Sequence, residues 1–139
     1  MKTTLIIILL LCVAAVRIDT VHYDPFNEAG SEFVLLKNTA DEPVNITGWR
    51  ISTATSSTDA TLSGSIPAQG DFLVADVGWA SGRDNISWPQ ADHEETLTLP
   101  NTKGFVQLLN LHGIPLSTVG YGDTHVFEQS PHPLVAEGF

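Results

Sequence analysis

The chain has 139 residues, 42% of them hydrophobic and 16% charged, with one cysteine, Cys12. That composition excludes a disordered chain and a disulfide-stapled miniature, and fits a single domain that hides roughly two-thirds of its unfolded surface on folding. Six basic residues against 16 acidic ones give a net charge of −10, which repels a phosphate backbone and excludes nucleic acid as a partner.

At the N-terminus, Lys2 precedes an apolar run from Leu5 to Val16 that ends in the small residues Ala14 and Ala15. This is the pattern of a secretory signal peptide, residues 1–15, cut after Ala14 or Ala15. As helix the run reaches about 18 Å, short of a hydrocarbon core near 30 Å, so no membrane span of the mature chain is expected. Cleavage removes Cys12, so an exported chain would rely on packing rather than disulfides. Two sequons, Asn45-Ile46-Thr47 and Asn85-Ile86-Ser87, offer glycan acceptors where the host glycosylates exported proteins.

From residue 16 the pattern is short β-rich runs separated by turn residues, with no sustained helical period. Strands are predicted at 16–23, 33–38, 48–52, 61–66, 72–75, 96–99, 105–109 and 116–121. Between them lie Thr39-Ala40-Asp41-Glu42-Pro43, Pro67-Ala68-Gln69-Gly70, Asn101-Thr102-Lys103-Gly104 and Leu111-His112-Gly113, which carry the residues tight turns require. Parallel pairing needs crossovers of a dozen residues or more, so about eight short strands on short turns predict an all-β, antiparallel sandwich or barrel. Alternation places Val34, Leu36, Trp49, Ile51, Phe72, Val74, Leu97, Leu99, Val106, Leu108, Val119 and Tyr121 in its core. Residues 123–139 contain Pro131 and Pro133, show no further strand signal and read as a C-terminal extension.

Glu32-Phe33-Val34-Leu35-Leu36-Lys37-Asn38, the acidic turn to Pro43 and Gly48-Trp49-Arg50-Ile51 resemble the opening of a lamin-tail domain. Ile66-Pro67-Ala68-Gln69-Gly70, Leu97-Thr98-Leu99, Gly104-Phe105-Val106 and Val119-Gly120-Tyr121-Gly122 follow in that family's order, so the resemblance covers most of residues 16–122. It implies an immunoglobulin-like β-sandwich. Of the family's types, the exported bacterial and archaeal one fits a signal peptide and an acidic balance. Its members are non-catalytic modules, often attached to surface enzymes, which implies a secreted or cell-surface module for protein interaction or structural attachment.

Leu35 stands where members of that family commonly carry a charged residue, on the strand face shared with Phe33. Phe33 and Leu35 are therefore a candidate interaction patch, unless a loop or the chain's ends cover them. The longest stretch without a strand, residues 76–95, holds Trp79 and Trp88. With Asp84, Asn85 and Asp92 beside them, the two rings either stack on a carbohydrate or pack on the sandwich edge. Asp92-His93-Glu94-Glu95 is the one crowding of ligand-type residues, but neighbours on a strand point to opposite faces, so no metal site and no cofactor are assigned. His22, His112, His125 and His132 are scattered and read as surface or turn residues. No nucleophile elbow, phosphate loop or catalytic cysteine is present, so no catalytic residue is assigned and a secreted hydrolase is the least supported reading.

Overall fold

The computed structural model describes residues 14–26 and 29–122, and the backbone of 134–137. Most of the signal-peptide segment, Cys12, His125 and His132 lie outside the described residues. In chain order the elements are β1 (Val16–Asp24), β2 (Phe33–Asn38), β3 (Val44–Asn45), β4 (Arg50–Thr53), β5 (Ala60–Thr61), β6 (Ser65–Ile66), β7 (Asp71–Ala75), the helical turn α1 (Trp79–Gly82), β8 (His93–Glu94), β9 (Gly104–Leu109), β10 (Pro115–Tyr121) and β11 (Leu134–Glu137). One sheet runs β11-β1-β2-β7-β8, a second runs β10-β9-β4-β5, and β3 pairs with β6 in a small ladder. The two larger sheets enclose one core, and the chain is the all-β, immunoglobulin-like sandwich expected from the sequence. Pairing is antiparallel except at the edges of the first sheet, where β11 joins β1 and β8 joins β7 in parallel.

The core forms where alternation directs side chains inward: Val34 and Leu36 of β2, Phe72 and Val74 of β7, Ile51 of β4, Val106 and Leu108 of β9, and Val119 and Tyr121 of β10. Trp49 is half-buried against them. In β1 the inward parity changes from Val16 and Ile18 to Val21 and Tyr23. A bulge between Ile18 and Thr20 produces that change, because one extra residue on a strand reverses its faces downstream. The Ile18 N–H donates to Ser117 Oγ at 3.0 Å, beside the matching irregularity in β10. At the end of β2, buried Asn38 donates from Nδ2 to the carbonyls of Glu42, Ile66 and Pro67 and accepts the Ala40 N–H on Oδ1. A single amide thus fixes both neighbouring turns.

Four predicted segments differ, the first being 76–95, read as strand-free, which holds the helical turn α1 and the short strand β8. The run 61–66 is two strands in two different sheets, β5 and β6, because Gly64 at φ 110° bends the chain between them. Residues 96–99 keep Leu97 and Leu99 in the core but form no strand. Their N–H groups donate to carboxylates instead: Leu97 to Asp76 Oδ1 at 3.1 Å, Thr98 to Asp59 Oδ2 at 2.8 Å and Leu99 to Glu32 Oε2 at 3.4 Å. Side-chain acceptors stand where a ladder partner would, so the inward alternation persists without a neighbouring strand. Residues 123–139, read as carrying no strand, contribute β11.

Tyr121 stacks on Tyr23 with ring centroids 4.0 Å apart, and its buried hydroxyl has no hydrogen-bond partner among the described residues. Burial pushes the phenol well above its ordinary value, and the charges of Glu32, Tyr23 and Asp59 add to the shift. The folded protein holds this proton more tightly than the unfolded chain, so stability is indifferent to Tyr121 ionisation below about pH 10 and falls progressively above it, where the unfolded chain releases the proton first. Tyr121→Phe should keep the stacking, match or slightly exceed the parent in urea at pH 7, and flatten the alkaline loss of stability. An unchanged alkaline profile in the variant would assign that loss to other groups.

Candidate functional site

The outer face of the first sheet is not left to solvent. Phe33 and Leu35 of β2 and Leu73 and Ala75 of β7 point away from the main core, and residues 76–92 fold over them. Trp79 in α1 is 1% exposed. Its ring lies parallel to Trp88 at 5.9 Å, and Phe33 stands edge-on to both at 5.5 Å. The indole Nε1–H donates to the Pro89 carbonyl at 2.8 Å, which satisfies the one polar atom this burial would otherwise strand. Phe33, Leu35, Trp79 and Trp88 therefore form one cluster rather than two sites.

A cleft of about 110 Å³ remains between Phe33, Leu35, Leu73, Trp79, Trp88 and Pro89. Small-molecule sites usually start near 300 Å³, and a sugar stacks on an open ring face, which Trp79 does not offer. His22, read from the sequence as a surface or turn residue, is instead buried. It stacks on Phe33 at 5.2 Å and meets Trp88 edge-on at 5.4 Å, because β1 directs it onto the same covered face. Its Nε2 lies 3.4 Å from Asp84 Oδ2. Among the described residues no hydroxyl or thiol bonds this ring.

Carboxylates hold the covering loop in place. Asp76 accepts the N–H of Gly30 on one oxygen and that of Leu97 on the other, both at 3.1 Å. Asp84 Oδ2 accepts the Phe26 N–H at 2.9 Å, and the Asp84 N–H donates to buried Ser31 Oγ at 2.7 Å. Asp92 accepts the Leu73 N–H at 2.8 Å, while Glu95 accepts the Thr61 N–H and pairs with His93, both at 2.9 Å. Arg83 closes the end of α1 by donating to the carbonyls of Trp79, Ala80 and Ile86, as suits a cation beside outward-pointing carbonyl dipoles. The run 92–95 thus serves the backbone, with Glu94 left exposed, and no group of three or more His, Cys, Asp or Glu among the described residues is placed to hold a metal ion.

The segments pinned by Asp76 and Asp84, residues 24–26 with 29–31 and residues 76–88, display three apolar side chains that sequence reasoning passed over: Phe26 at 73% exposure, Ile86 at 71% and Val77 at 58%. The loops touch closely. A Cβ on Gly30 would stand 3.0 Å from the Gly78 carbonyl group, and one on Gly82 would stand 2.6 Å from the Ala29 carbonyl oxygen. The sequence signal was an apolar residue inside turn chemistry, as in Pro25-Phe26, Asp76-Val77-Gly78 and Asn85-Ile86-Ser87, which periodicity cannot score. Both sequon asparagines, Asn45 and Asn85, are exposed and accept the N–H two residues on, so each side chain already adopts an Asx turn.

The sequence matches the family model described as Lamin Tail Domain over residues 13–123. No curated protein matches it.

Proposed function

The chain belongs to the lamin tail domain family, and from that premise we propose that it is a non-catalytic interaction module whose docking surface is the Phe26, Val77 and Ile86 end of the sandwich. The observation that carries this reading is three large apolar side chains more than half exposed on loops whose backbone N–H groups side-chain carboxylates hold. Holding apolar groups in water on an ordered scaffold lowers the ordering cost of association. Export to the medium or the cell surface rests on residues 1–15 acting as a cleaved signal peptide, followed by a sandwich domain at 16–122 and an extension at 123–139. Among the described residues no helix is long and apolar enough to cross a membrane. The partner class is a protein or cell-surface component. A carbohydrate site on Trp79 and Trp88 draws little support from a buried ring and a cleft of about 110 Å³.

The Phe26→Lys/Ile86→Lys double variant tests the docking surface, because substitutions at such exposed positions shift stability by no more than about 0.5 kcal/mol each. Parent and variant should unfold alike in urea, while retention on a surface preparation of the producing cells should fall severalfold for the variant. Equal retention of the two proteins would sink the assignment of this end. Elution of the parent by free glycans would revive the carbohydrate reading.

A further inference from the structure

A second feature lies at the other end of the sandwich. β1 and β10 run side by side in the same direction, Ile18 bonding Ser117 near their starts and Tyr23 stacking on Tyr121 near their ends. Residues 110–114, which precede β10, therefore lie at the opposite end from Phe26, which follows β1. There Gly48, Arg50, Asn110, Leu111, His112 and Gly113 line a polar cavity of about 300 Å³, within the range of small-ligand sites.

Asn110 builds the rim. Its Oδ1 accepts the N–H groups of His112 at 2.9 Å and Ile114 at 3.0 Å, its own N–H donates to the Ile114 carbonyl at 3.0 Å, and its carbonyl accepts from Gly113 at 2.9 Å. Two glycines keep the space open. A Cβ at Gly113 would stand 3.2 Å from Arg50 Nη2, and one at Gly48 would stand 2.6 Å from Leu111 Cδ1.

The Arg50 guanidinium makes no hydrogen bond or ion pair with any described residue, and its Nε is buried without a partner. That isolation is unexpected in a chain with 16 acidic residues, and none of those among the described residues lines the cavity. A permanently charged fork with a buried, unsatisfied donor calls for an acceptor. The amide nitrogen of Asn110 and the exposed His112 ring add donor capacity beside it, so the lining favours an anion. Leu111 and Ile114, 64% and 55% exposed, place apolar surface next to the charge.

We propose that this cavity binds a carboxylate joined to an apolar group. A planar carboxylate matches the guanidinium fork with two parallel hydrogen bonds, whereas a multiply charged phosphate would face a chain of net charge −10 with one fixed cation to hold it. Two sources present this chemistry: the C-terminal residue of a peptide, and an acidic side chain beside an apolar one. The inference does not depend on docking at the Phe26 end.

Proton–nitrogen NMR of the isotope-labelled protein, read at the Gly113 amide and the Arg50 Nε–H, tests it. N-acetyl-leucine should produce saturable shifts at both, its methyl ester should bind about tenfold more weakly or not at all, and Arg50→Gln should abolish the response. Arg50→Lys should not restore it, since an ammonium lacks the fork. Should the Arg50 variants fail to fold, exposed Leu111→Ser serves instead, with severalfold weaker binding expected. Stronger saturation by acetyl-Glu-Leu-amide than by N-acetyl-leucine would support the site with a side-chain source, and the reverse order would support it with a chain terminus. An ester that binds as tightly as its acid, phosphate that binds more tightly than either carboxylate, or no saturable shift with any of these probes would overturn the proposal. Unlike the Phe26→Lys/Ile86→Lys comparison, every readout here lies at the Arg50 end.

Discussion

Trp79→Ala lowers the unfolding free energy by about 3–5 kcal/mol, the range for removing a large aromatic side chain from a packed interior. The indole is buried between Trp88 and Phe33 and anchored through Nε1 to Pro89, so its loss empties the middle of the second cluster and removes the hydrogen bond to the Pro89 carbonyl. Phe33, Leu35 and Leu73 then face a cavity that a one-turn helix has few ways to refill. Urea unfolding of the parent and Trp79→Ala measures the loss, and Trp79→Phe should recover part of it by restoring ring area without the N–H. Acrylamide quenching locates the damage: in the parent the buried Trp79 is shielded, whereas in Trp79→Ala emission from Trp88 should become strongly quenched as the loop lifts. A loss below about 1 kcal/mol would mean that residues 76–92 rest on the sheet without contributing to its stability.

Asp76→Ala costs about 2–4 kcal/mol, because one side chain accepts two backbone N–H groups from separate parts of the chain. Gly30 belongs to the connection between β1 and β2, and Leu97 to the extended segment before β9, so the carboxylate ties both to the end of β7. Its removal leaves the Leu97 amide without its acceptor while the Leu97 side chain stays in the core. Asp76→Asn should lose roughly half as much, since the amide keeps one acceptor oxygen and cannot serve both donors. Hydrogen exchange gives the decisive readout. The Gly30 and Leu97 amides should lose protection together in Asp76→Ala, even where the rest of the sandwich stays protected. Independent behaviour of the two amides would refute the clamp.

The two substitutions connect stability to the proposed docking end. Phe26, Val77 and Ile86 are carried by the loops that Trp79 anchors from below and Asp76 and Asp84 pin from the side. Loosening either support should weaken partner retention without touching an exposed side chain. Comparison with the Phe26→Lys/Ile86→Lys variant separates lost contacts from lost order.

Much of the sandwich was legible because burial on one face writes a period of two into each strand. Val34 and Leu36, Val106 and Leu108, and Phe72 and Val74 were read into the core by that rule and are found there. The rule failed where another interaction took over the backbone. At 96–99 the side chains alternate, yet carboxylates from residues 32, 59 and 76 take the amides that a neighbouring strand would bond. The same habit explains the acidic residues. They are spread through the sequence without a pattern, but Asp59, Asp76, Asp84, Asp92, Glu32 and Glu95 each accept a backbone N–H. Nothing in the spacing of an aspartate announces which distant amide it will meet.

The sequence by itself determined the all-β class, the antiparallel sandwich, most of its core and the family likeness, because local alternation and turn chemistry are properties of neighbouring residues. Tertiary structure alone decided that Phe33, Leu35, Trp79 and Trp88 share one covered cluster, that Phe26, Val77 and Ile86 stand out in water, and that Arg50 faces a cavity lined by no acid among the described residues. Burial and pairing at those positions depend on loops that cross from one sheet edge to another. A loop's course is fixed by long-range contacts such as Asp76 to Leu97, which leave no periodic trace in the chain.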